Sequence, residues 1–248
     1  MPKIDTLEIR VTDPKKLVNF YRGVLGMTRM EDERMRYGAE EAAIRFFPAE
    51  RLYKSSSNDV YWKIALSVPD IELACSQLSS KGVSVGHPEQ FRDVGYLAHF
   101  NDPGGFTVEL IEHYFKGDRP DTILDESLLG GGARLNLITL RTADMTSIKS
   151  HAADWGMTLI CIQPLESIGF TLYFFAFTNE SPPSNDLTAI ENRTWVYQRP
   201  YTVLEIQHIH GADRVTQVDA QCAGYQGVRV SGVVAPIAKN ELHVTTVG

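Results

Sequence analysis

Three stretches of the chain repeat the same order of apolar and polar positions. Each begins with an apolar run of strand length that ends in Asp, continues with a segment of helix length, and ends with Gly and a second apolar run. The Asp residues are Asp13, Asp70 and Asp144, and the Gly residues, 13, 12 and 12 positions later, are Gly26, Gly82 and Gly156. Asp caps the free N–H groups at a helix start, and Gly adopts the left-handed conformation that ends many helices. The pattern therefore predicts three strand–helix–strand units.

Each predicted helix is followed by further segments of strand character. They are "EEAAIRFFP" after the first helix, "GYLAHFND" and "FTVELIE" after the second, and "FTLYFFAFTN" and "YTVLEIQHI" after the third. Each unit therefore reads βαβββ. One such unit cannot bury both its helix and its sheet face, so we expect the units to pair. The segment "TNESPPSNDLTAIENR", inside the third unit, is predicted to be a loop.

A fourth unit is incomplete in the sequence. "GVRVSGVVAP" predicts its first strand and "NELHVTTVG" predicts one more, but no Asp–helix–Gly segment lies between them. Residues 117–132 are polar and Gly-rich, and we predict that they form a linker. The prediction is an α+β fold of paired βαβββ modules, with domains over residues 1–116 and 133–248, the second truncated or remodelled. Which units pair, and whether they do so within one chain or across a dimer, stays open.

Composition and charge narrow the class of protein. Of 248 residues, 43% are hydrophobic and 22% charged, which is typical of a chain with a packed core. The net charge of −7 argues against a nucleic-acid or anionic-membrane surface, and no apolar run approaches the length of a membrane span. The N-terminal segment has no apolar region of a secretory signal, and the three cysteines have no metal-like spacing. We therefore expect a cytoplasmic protein with reduced thiols.

Two glutamates lie in the middle of predicted strands. In "FTVELIE", Glu109 shares a face with Thr107 and Ile111, because successive side chains of a strand point to opposite faces. Glu205 stands between Leu204 and Ile206 in a similar strand. Each is either a ligand-binding or catalytic carboxylate, or a strand residue whose charge is satisfied by solvent or by a neighbouring cation.

The motifs "RVTDPKKLVNFYRGVLGMT", "IALSVPD" and "DPGGFTVELIE" resemble glyoxalase I and the vicinal oxygen chelate superfamily, which includes bleomycin resistance proteins and dioxygenases. The third unit, with "WGMTLI" and "FTLYFFAF", is similar to the same family, so the chain resembles a two-domain member. The resemblance implies paired βαβββ modules that curl into cup-shaped mixed sheets. It also implies a divalent metal in the cup that chelates two oxygens of a substrate. Glyoxalase I isomerises the hemithioacetal of glutathione and methylglyoxal to a lactoyl thioester.

The resemblance assigns ligand positions that this chain fills unevenly. The first-strand ligand, usually His or Gln, corresponds to Thr6 in unit one and to Leu137 in unit three. A later glutamate ligand corresponds to Arg45 in unit one and to Glu205 in unit three. A site between units one and four would therefore have few ligands, and the counterpart of Glu109 in unit four is not recognisable.

A site between units two and three would contain four carried-over positions. They are Lys63, which replaces a histidine, with Glu109, Leu137 and Glu205. Zn²⁺ and Ni²⁺ favour imidazole and a fuller ligand set, so these residues predict a degraded metal site. The Lys63 ammonium would instead neutralise one carboxylate and allow the pair to remain buried without metal. If a metal is bound, Glu109 and Glu205 are its predicted ligands, and the candidates are Zn, Ni, Mn or Fe.

Two arginines occupy equivalent places in units one and three. Arg10 and Arg141 each lie three residues before the capping Asp. In glyoxalase I the matching arginine helps to hold a glutathione carboxylate, and a guanidinium is suited to that planar anion. The alternative is an arginine paired with a local acid. Arg10, Arg141, Lys63 and Thr6 are thus the candidate substrate-binding residues, and His99 is predicted to be a core or cup-lining histidine.

Three functional hypotheses follow. The favoured one is a glyoxalase-like protein whose cup binds a small ligand, apolar or conjugated to a thiol, around a degraded metal site. The second is a metal-dependent lyase or isomerase of the lactoylglutathione lyase type, in which Glu109 and Glu205 carry the chemistry. The third is a non-catalytic interaction subunit. We also predict a homo-oligomer, because an incomplete fourth unit would leave a sheet edge or face for another subunit to cover.

Overall fold

The computed structural model describes residues 1–247, which form four units and two sheets. Unit one contains β1 (Lys3–Val11), α1 (Pro14–Gly23), β2 (Thr28–Arg29), β3 (Met35–Arg36) and β4 (Ala43–Pro48). Unit two contains β5 (Tyr61–Val68), α2 (Ile71–Ser80), β6 (Glu89–Phe91), β7 (Gly95–Asn101) and β8 (Thr107–Glu112). Unit three contains β9 (Arg134–Thr142), α3 (Met145–Trp155), β10 (Thr158–Leu165), β11 (Phe170–Ala176), α4 (Glu191–Tyr197) and β12 (Val203–Ile209). Unit four contributes β13 (Gly224–Ser231) and β14 (Val244–Thr246). The α+β prediction is confirmed.

The three repeated helices begin as the sequence predicts. Asp13 accepts a hydrogen bond from the Lys16 backbone N–H at 3.0 Å, and Asp70 accepts one from Leu73 at 2.9 Å. Asp144 caps α3 in the same way. These bonds satisfy donors that have no partner inside the first helical turn. The glycines after the three helices all have φ between 80° and 84°, the left-handed region that disfavours other residues.

The two sheets are built from different pairs of units. Units one and four form a six-stranded sheet in the order β14-β13-β1-β4-β3-β2. Units two and three form an eight-stranded sheet in the order β10-β11-β12-β9-β5-β8-β7-β6. In each sheet the first strands of the two units pair antiparallel and so join the units, β1 with β13 and β5 with β9. Both pairings therefore occur within one chain. Units two and three are neighbours in sequence, whereas units one and four are not. The division into domains at residues 117–132 stays a prediction.

Strand alternation separates the two faces of the eight-stranded sheet. Val108 and Leu110 of β8, with Phe106 just before it, belong to the larger hydrophobic core, which also contains buried residues of α2. Ile111, on the opposite face, belongs to a smaller cluster around a cavity, and Glu109 lies on that face too. The predicted orientation of Glu109 is confirmed.

Within residues 1–247 the fourth unit contains no helix, and an irregular segment over residues 232–243 joins β13 to β14. Val233 and Ile237 of this segment pack against the larger core, and Leu242 is fully buried in it. The apolar surface that we expected another subunit to cover is thus covered in part by the chain itself. The homo-oligomer stays a prediction.

The segment predicted to be a loop in unit three, residues 178–193, runs into the start of α4, whose first three residues it includes. This seven-residue helix has no side-chain hydrogen bond at its N-terminus, so the sequence carries no capping signal for it. Among the described residues, no helix is both long enough and apolar enough to cross a membrane.

Candidate functional site

The concave face of the eight-stranded sheet encloses a cavity of about 330 Å³, which lies at the lower end of the usual size range of ligand pockets. Its floor is polar and comes from β5, β8 and β12, whose side chains Lys63, Glu109 and Glu205 all line it. Its walls are mainly apolar. The aromatic residues among them are Trp62, Phe91, Phe170 and Tyr197.

Parallel and antiparallel registers bring the three charged residues together. Lys63 lies opposite Thr139 of β9, and Thr139 lies opposite Glu205 of β12. Glu109 of β8 lies opposite Ala65, two residues along β5 from Lys63 and on the same face. Side chains on neighbouring strands at this spacing are within reach of one another.

Lys63 is the centre of the resulting cluster. Its Nζ donates to Glu109 Oε1 at 2.8 Å, to Glu205 Oε2 at 3.2 Å and to Thr139 Oγ1 at 3.3 Å. The Thr139 hydroxyl in turn donates to Glu205 Oε2. The Lys63 side chain is only 2% exposed, and the two carboxylates are nearly as buried. An ammonium has three N–H donors, so all of those on Lys63 are used within the protein.

Burial and charge act in opposite directions on these groups. Burial would lower the pKa of Lys63, but the Glu109 and Glu205 carboxylates outweigh it and raise this pKa above its usual value. Burial would raise the pKa of Glu109, but the Lys63 ammonium and His99 lower it to about 2. For Glu205, burial prevails over the attraction of Lys63, and with the nearby Glu109 charge it raises the pKa of the carboxyl. Lys63 and Glu109 are therefore an ion pair at neutral pH, and Glu205 is the group that takes up a proton more readily.

One carboxylate oxygen in the cluster has no partner. Glu109 uses both oxygens, one for Lys63 and one for His99 Nε2 at 2.9 Å. Glu205 Oε2 accepts from Lys63 and Thr139, whereas Glu205 Oε1 accepts no hydrogen bond from residues 1–247. Because Glu205 lines the cavity, Oε1 is the oxygen that can accept a hydrogen bond from a bound molecule.

His99 connects the cluster with the cavity mouth. Its side chain is 41% exposed, although its Nε2 contacts the buried Glu109. Glu89 of β6 also lines the cavity and is exposed. His99 is thus a cup-lining residue, as one of the two predicted alternatives had it.

The helix α4 closes one side of the cavity. The Tyr197 hydroxyl donates to the Val94 carbonyl at 2.9 Å and accepts from Gln163 Nε2 at 2.9 Å. Arg193 forms an ion pair with Asp93 at 2.8 Å. Both contacts join α4 to the turn between β6 and β7, on the opposite unit. Sequence reasoning missed Tyr197 because no helix was predicted after the loop over residues 178–193, and it singled out none of the aromatic wall residues.

The predicted site residues fall into three groups. Lys63, Glu109 and Glu205 meet in the cavity with Leu137, as the site between units two and three requires. Arg141 lies beside it: its guanidinium stacks 5.1 Å from the Trp62 ring centre, and its Nε donates to Gln207 Oε1 at 2.8 Å.

Thr6 and Arg10 lie in the other sheet and do not line this cavity. Thr6 Oγ1 donates to Asp5 Oδ2 at 2.7 Å and accepts from Arg34 at 2.8 Å. Arg10 donates to the backbone carbonyls of Cys222 and Asp219 at 3.1 and 3.3 Å. Their role in substrate binding stays a prediction.

The six-stranded sheet presents a second cup with a different set of residues. By strand register, Gly227 stands where Lys63 stands in the larger sheet, Arg45 stands where Glu205 does, and Thr245 of β14 stands where Glu109 does. Arg229 reaches Glu8 at 2.9 Å and Thr245 Oγ1 at 2.9 Å. The counterpart of Glu109 that the sequence did not reveal is therefore Thr245, which is neither charged nor a strong metal ligand.

The residues of the larger cup do not fit a divalent metal. A cation, the Lys63 ammonium, already lies within hydrogen-bonding distance of both carboxylates, and its raised pKa keeps it charged. Leu137 at the remaining ligand position offers no donor atom. Zinc and nickel sites need more donors than two carboxylates that already share a cation.

One group of three carboxylates elsewhere has metal-like spacing within the described residues. Asp70, Glu72 and Glu112 place one oxygen each within 4.8 Å of one another. Arg119 Nη1 lies 2.9 to 3.3 Å from an oxygen of all three, so a guanidinium already neutralises this group.

Known proteins share this architecture. Residues 3–110 match the model of the Glyoxalase/Bleomycin resistance protein/Dioxygenase superfamily. A lactoylglutathione lyase of Pseudomonas aeruginosa is 27% identical over 147 residues, which span 44% of this chain and 82% of that protein. The crystal structure of glyoxalase I from Zea mays aligns with a TM-score of 0.61 at 18% identity, over 93% of this chain and 74% of that chain. A point mutant of the same maize protein gives a TM-score of 0.62 at 19% identity, with the same coverage. At these identities the structural matches establish the fold.

Proposed function

We propose that this chain, whose residues 3–110 match the model of the glyoxalase/bleomycin resistance protein/dioxygenase superfamily, binds a small, mainly apolar molecule in its larger cup without a divalent metal. The observation that carries this proposal is the position of Lys63, whose ammonium lies between the Glu109 and Glu205 carboxylates. The cation that holds the two carboxylates in the buried cup is part of the chain itself.

The cavity supports a binding role over a purely structural one. Its walls are mostly apolar and aromatic, and its polar groups are confined to the floor and the mouth. Small-molecule pockets commonly combine apolar walls with a few placed polar groups. An interaction subunit that had lost its site would not require a charged cluster at the bottom of a cavity, because removing charged side chains from water costs free energy.

The metal-dependent lyase is the alternative that the relatives suggest. The lactoylglutathione lyase of Pseudomonas aeruginosa supports it through sequence similarity, and the retained Glu109 and Glu205 support it through their position. Against it stand Lys63 and Leu137 at the two other ligand positions, because a cation and an alkyl side chain cannot coordinate a metal.

Metal analysis of the purified protein distinguishes the two. We expect less than stoichiometric metal in the wild-type protein, and no thermal stabilisation by added Zn²⁺, Ni²⁺, Mn²⁺ or Fe²⁺. The matched variant is Glu205→Ala. A stoichiometric metal that is present in the wild type and absent from Glu205→Ala would overturn the metal-free proposal in favour of the lyase.

Blocking the cavity tests the binding role. Leu172 lines the cavity and is 5% exposed, so Leu172→Trp would fill part of its volume. We expect small apolar molecules that stabilise the wild type in a thermal-shift screen to have no effect on this variant. Leu52→Trp, at a position 76% exposed, is the matched control and should behave as the wild type. Equal stabilisation of both variants would show that binding occurs elsewhere.

A further inference from the structure

The donors and acceptors at the cavity floor indicate the chemical class of the ligand, an inference that rests on the proposed metal-free binding role. We propose that the cavity takes the protonated form of a small apolar amine, with its ammonium group at Glu205 Oε1. Three independent observations lead to this class: the acceptor-only floor, the charge of the cavity lining, and the aromatic walls.

The first observation is that the floor accepts hydrogen bonds but donates none. Lys63, the only lysine or arginine that lines the cavity among the described residues, uses all three N–H donors on Glu109, Thr139 and Glu205. Glu205 Oε1 accepts no hydrogen bond within residues 1–247, so the ligand has to supply a donor. A ligand whose buried end is a carboxylate or a carbonyl would find no donor there, and its desolvation would be uncompensated. A ligand with an N–H or O–H donor would pair directly.

The second observation is the charge of the lining. Lys63 faces three carboxylates, namely Glu89 at the mouth and Glu109 and Glu205 at the floor, with His99 beside Glu109. The lining therefore holds more carboxylates than lysine or arginine side chains. A monovalent cation reduces this imbalance, whereas an anion increases it. This favours an ammonium over a hydroxyl as the buried donor, since hydrogen bonds between charged groups are the stronger ones.

The third observation concerns the remainder of the ligand. Phe91, Phe170 and Tyr197 line the cavity, and Trp62 forms part of the same wall. Aromatic faces attract cations and bury apolar groups. A cavity of about 330 Å³ accommodates a molecule with roughly the size of one aromatic ring and a short chain, which is near the small end of ligand pockets.

Three probes of one shape test the proposal directly. They are 2-phenylethylamine, 2-phenylethanol and phenylacetate, measured by calorimetry or by quenching of tryptophan fluorescence at pH 7. We expect the amine to bind about ten-fold or more tightly than the alcohol, because a charge-assisted hydrogen bond replaces a neutral one. The carboxylate should bind more weakly than the alcohol. An alcohol that binds as tightly as the amine, or a carboxylate that binds most tightly, would overturn the proposal and leave the metal-free binding role intact.

Variants locate the contact. Glu205→Gln should weaken the amine by about ten-fold or more and change the affinity for the alcohol by less than about three-fold, since only the charge is removed. Glu40→Gln changes the same chemistry at an exposed position away from the cavity and should leave amine binding unchanged. If Glu205→Gln does not fold, the ranking of the three probes on the wild type and on Glu89→Gln decides the question. An amine preference that is as strong in Glu205→Gln as in the wild type would overturn the assigned contact.

Two outcomes separate this inference from the proposed function. Binding of none of the three probes overturns the amine class. Binding of none of them together with stoichiometric Zn²⁺ or Ni²⁺ in the protein overturns the metal-free role as well.

Discussion

Lys63 on β5 donates to Glu109 on β8 at 2.8 Å, and both side chains are almost completely buried. Two positions that the family resemblance assigns to metal ligands are therefore joined by an ion pair within the chain. A buried pair of this kind is stable only when each member satisfies the other, because either charge alone would lose its hydration without compensation. The pair explains how the cup keeps acidic residues at its floor although the imidazole that would accompany a metal is absent.

Removal of the ammonium should therefore destabilise the fold. Lys63→Met leaves Glu109 and Glu205 buried without a cation, and we expect the free energy of unfolding to fall by about 3 to 5 kcal/mol at pH 7. Chemical denaturation followed by circular dichroism measures this loss. Lys15→Met, at an exposed position, is the matched control and should change the value by less than about 0.5 kcal/mol.

The same variant has a defined pH dependence. Without Lys63, burial and mutual repulsion raise the carboxyl pKa values above those of the unfolded chain. A group whose folded pKa is raised contributes stability at low pH that is lost as the pH rises. The difference between wild type and Lys63→Met should accordingly be smaller at pH 5 than at pH 8. A loss of the same size at both pH values would show that lost packing of the lysine stem, and not charge, is responsible.

A metal site should be recoverable by two substitutions. Lys63→His removes the internal cation, and Leu137→His adds a second imidazole next to Glu109 and Glu205. Two imidazoles and two carboxylates are a suitable set for Zn²⁺ or Ni²⁺. We expect the double variant to bind one metal ion and to be stabilised by it in thermal unfolding, whereas the wild type is not.

The control for that experiment is the same double variant with Glu205→Gln. Its metal affinity should be at least about ten-fold lower, which corresponds to 1.4 kcal/mol. Equal metal affinity in the two would mean that the added histidines bind metal outside the cup.

Local rules made much of this site predictable from the sequence. The helix starts at Asp13, Asp70 and Asp144 follow from capping, and the orientation of Glu109 follows from the two-residue period of a strand. The proximity of Lys63 to Glu109 follows from the family resemblance together with charge. These features depend on neighbours within a few residues or on a motif, so a single sequence carries them.

Other features depend on distant parts of the chain and could not be predicted. Pairing of unit one with unit four brings together strands separated by about two hundred residues, for which no local signal exists. The position of Thr245 depends on the register of β14, a strand of three residues after a long connection. The helix α4 was missed because it is short and uncapped, and Tyr197 became part of the cavity wall only through its contact with Val94.

A partly buried histidine directly after β8, His113, predicts a separate pH effect. Burial lowers the pKa of His113 to about 4, with the positive charge of Arg134 acting in the same direction, and its Nε2 has no hydrogen-bond partner among the described residues. A histidine whose folded pKa is lowered contributes stability above its unfolded pKa of about 6.5, and that stability is lost as the pH falls towards 4. We expect this contribution to be about 1 to 3 kcal/mol, discounted for partial exposure.

The measurement compares wild type with His113→Asn over the range from pH 7.5 to pH 4.5. Glu112 and Asp102, whose pKa values burial raises to about 7 and about 6, act in the opposite direction over this range in both proteins. The difference between the two proteins therefore isolates His113. Wild type should lose more stability than the variant on acidification, and parallel curves would contradict the assignment.

The closure of the cavity by α4 gives the last prediction. Tyr197→Phe removes a hydroxyl that donates to the Val94 carbonyl and accepts from Gln163 Nε2. The Oε1 of the same Gln163 has no partner within residues 1–247. Buried polar groups left unpaired cost about 1 to 3 kcal/mol, so the free energy of unfolding should fall by that amount. Amide hydrogen exchange should also quicken in α4 and in the turn at Asp93, because a link between two units is lost. Tyr201→Phe, whose hydroxyl bonds Thr178 and Glu180 near the surface, is the control and should cost less than about 1 kcal/mol. Equal losses in the two variants would mean that the Tyr197 hydroxyl does not hold α4 over the cavity.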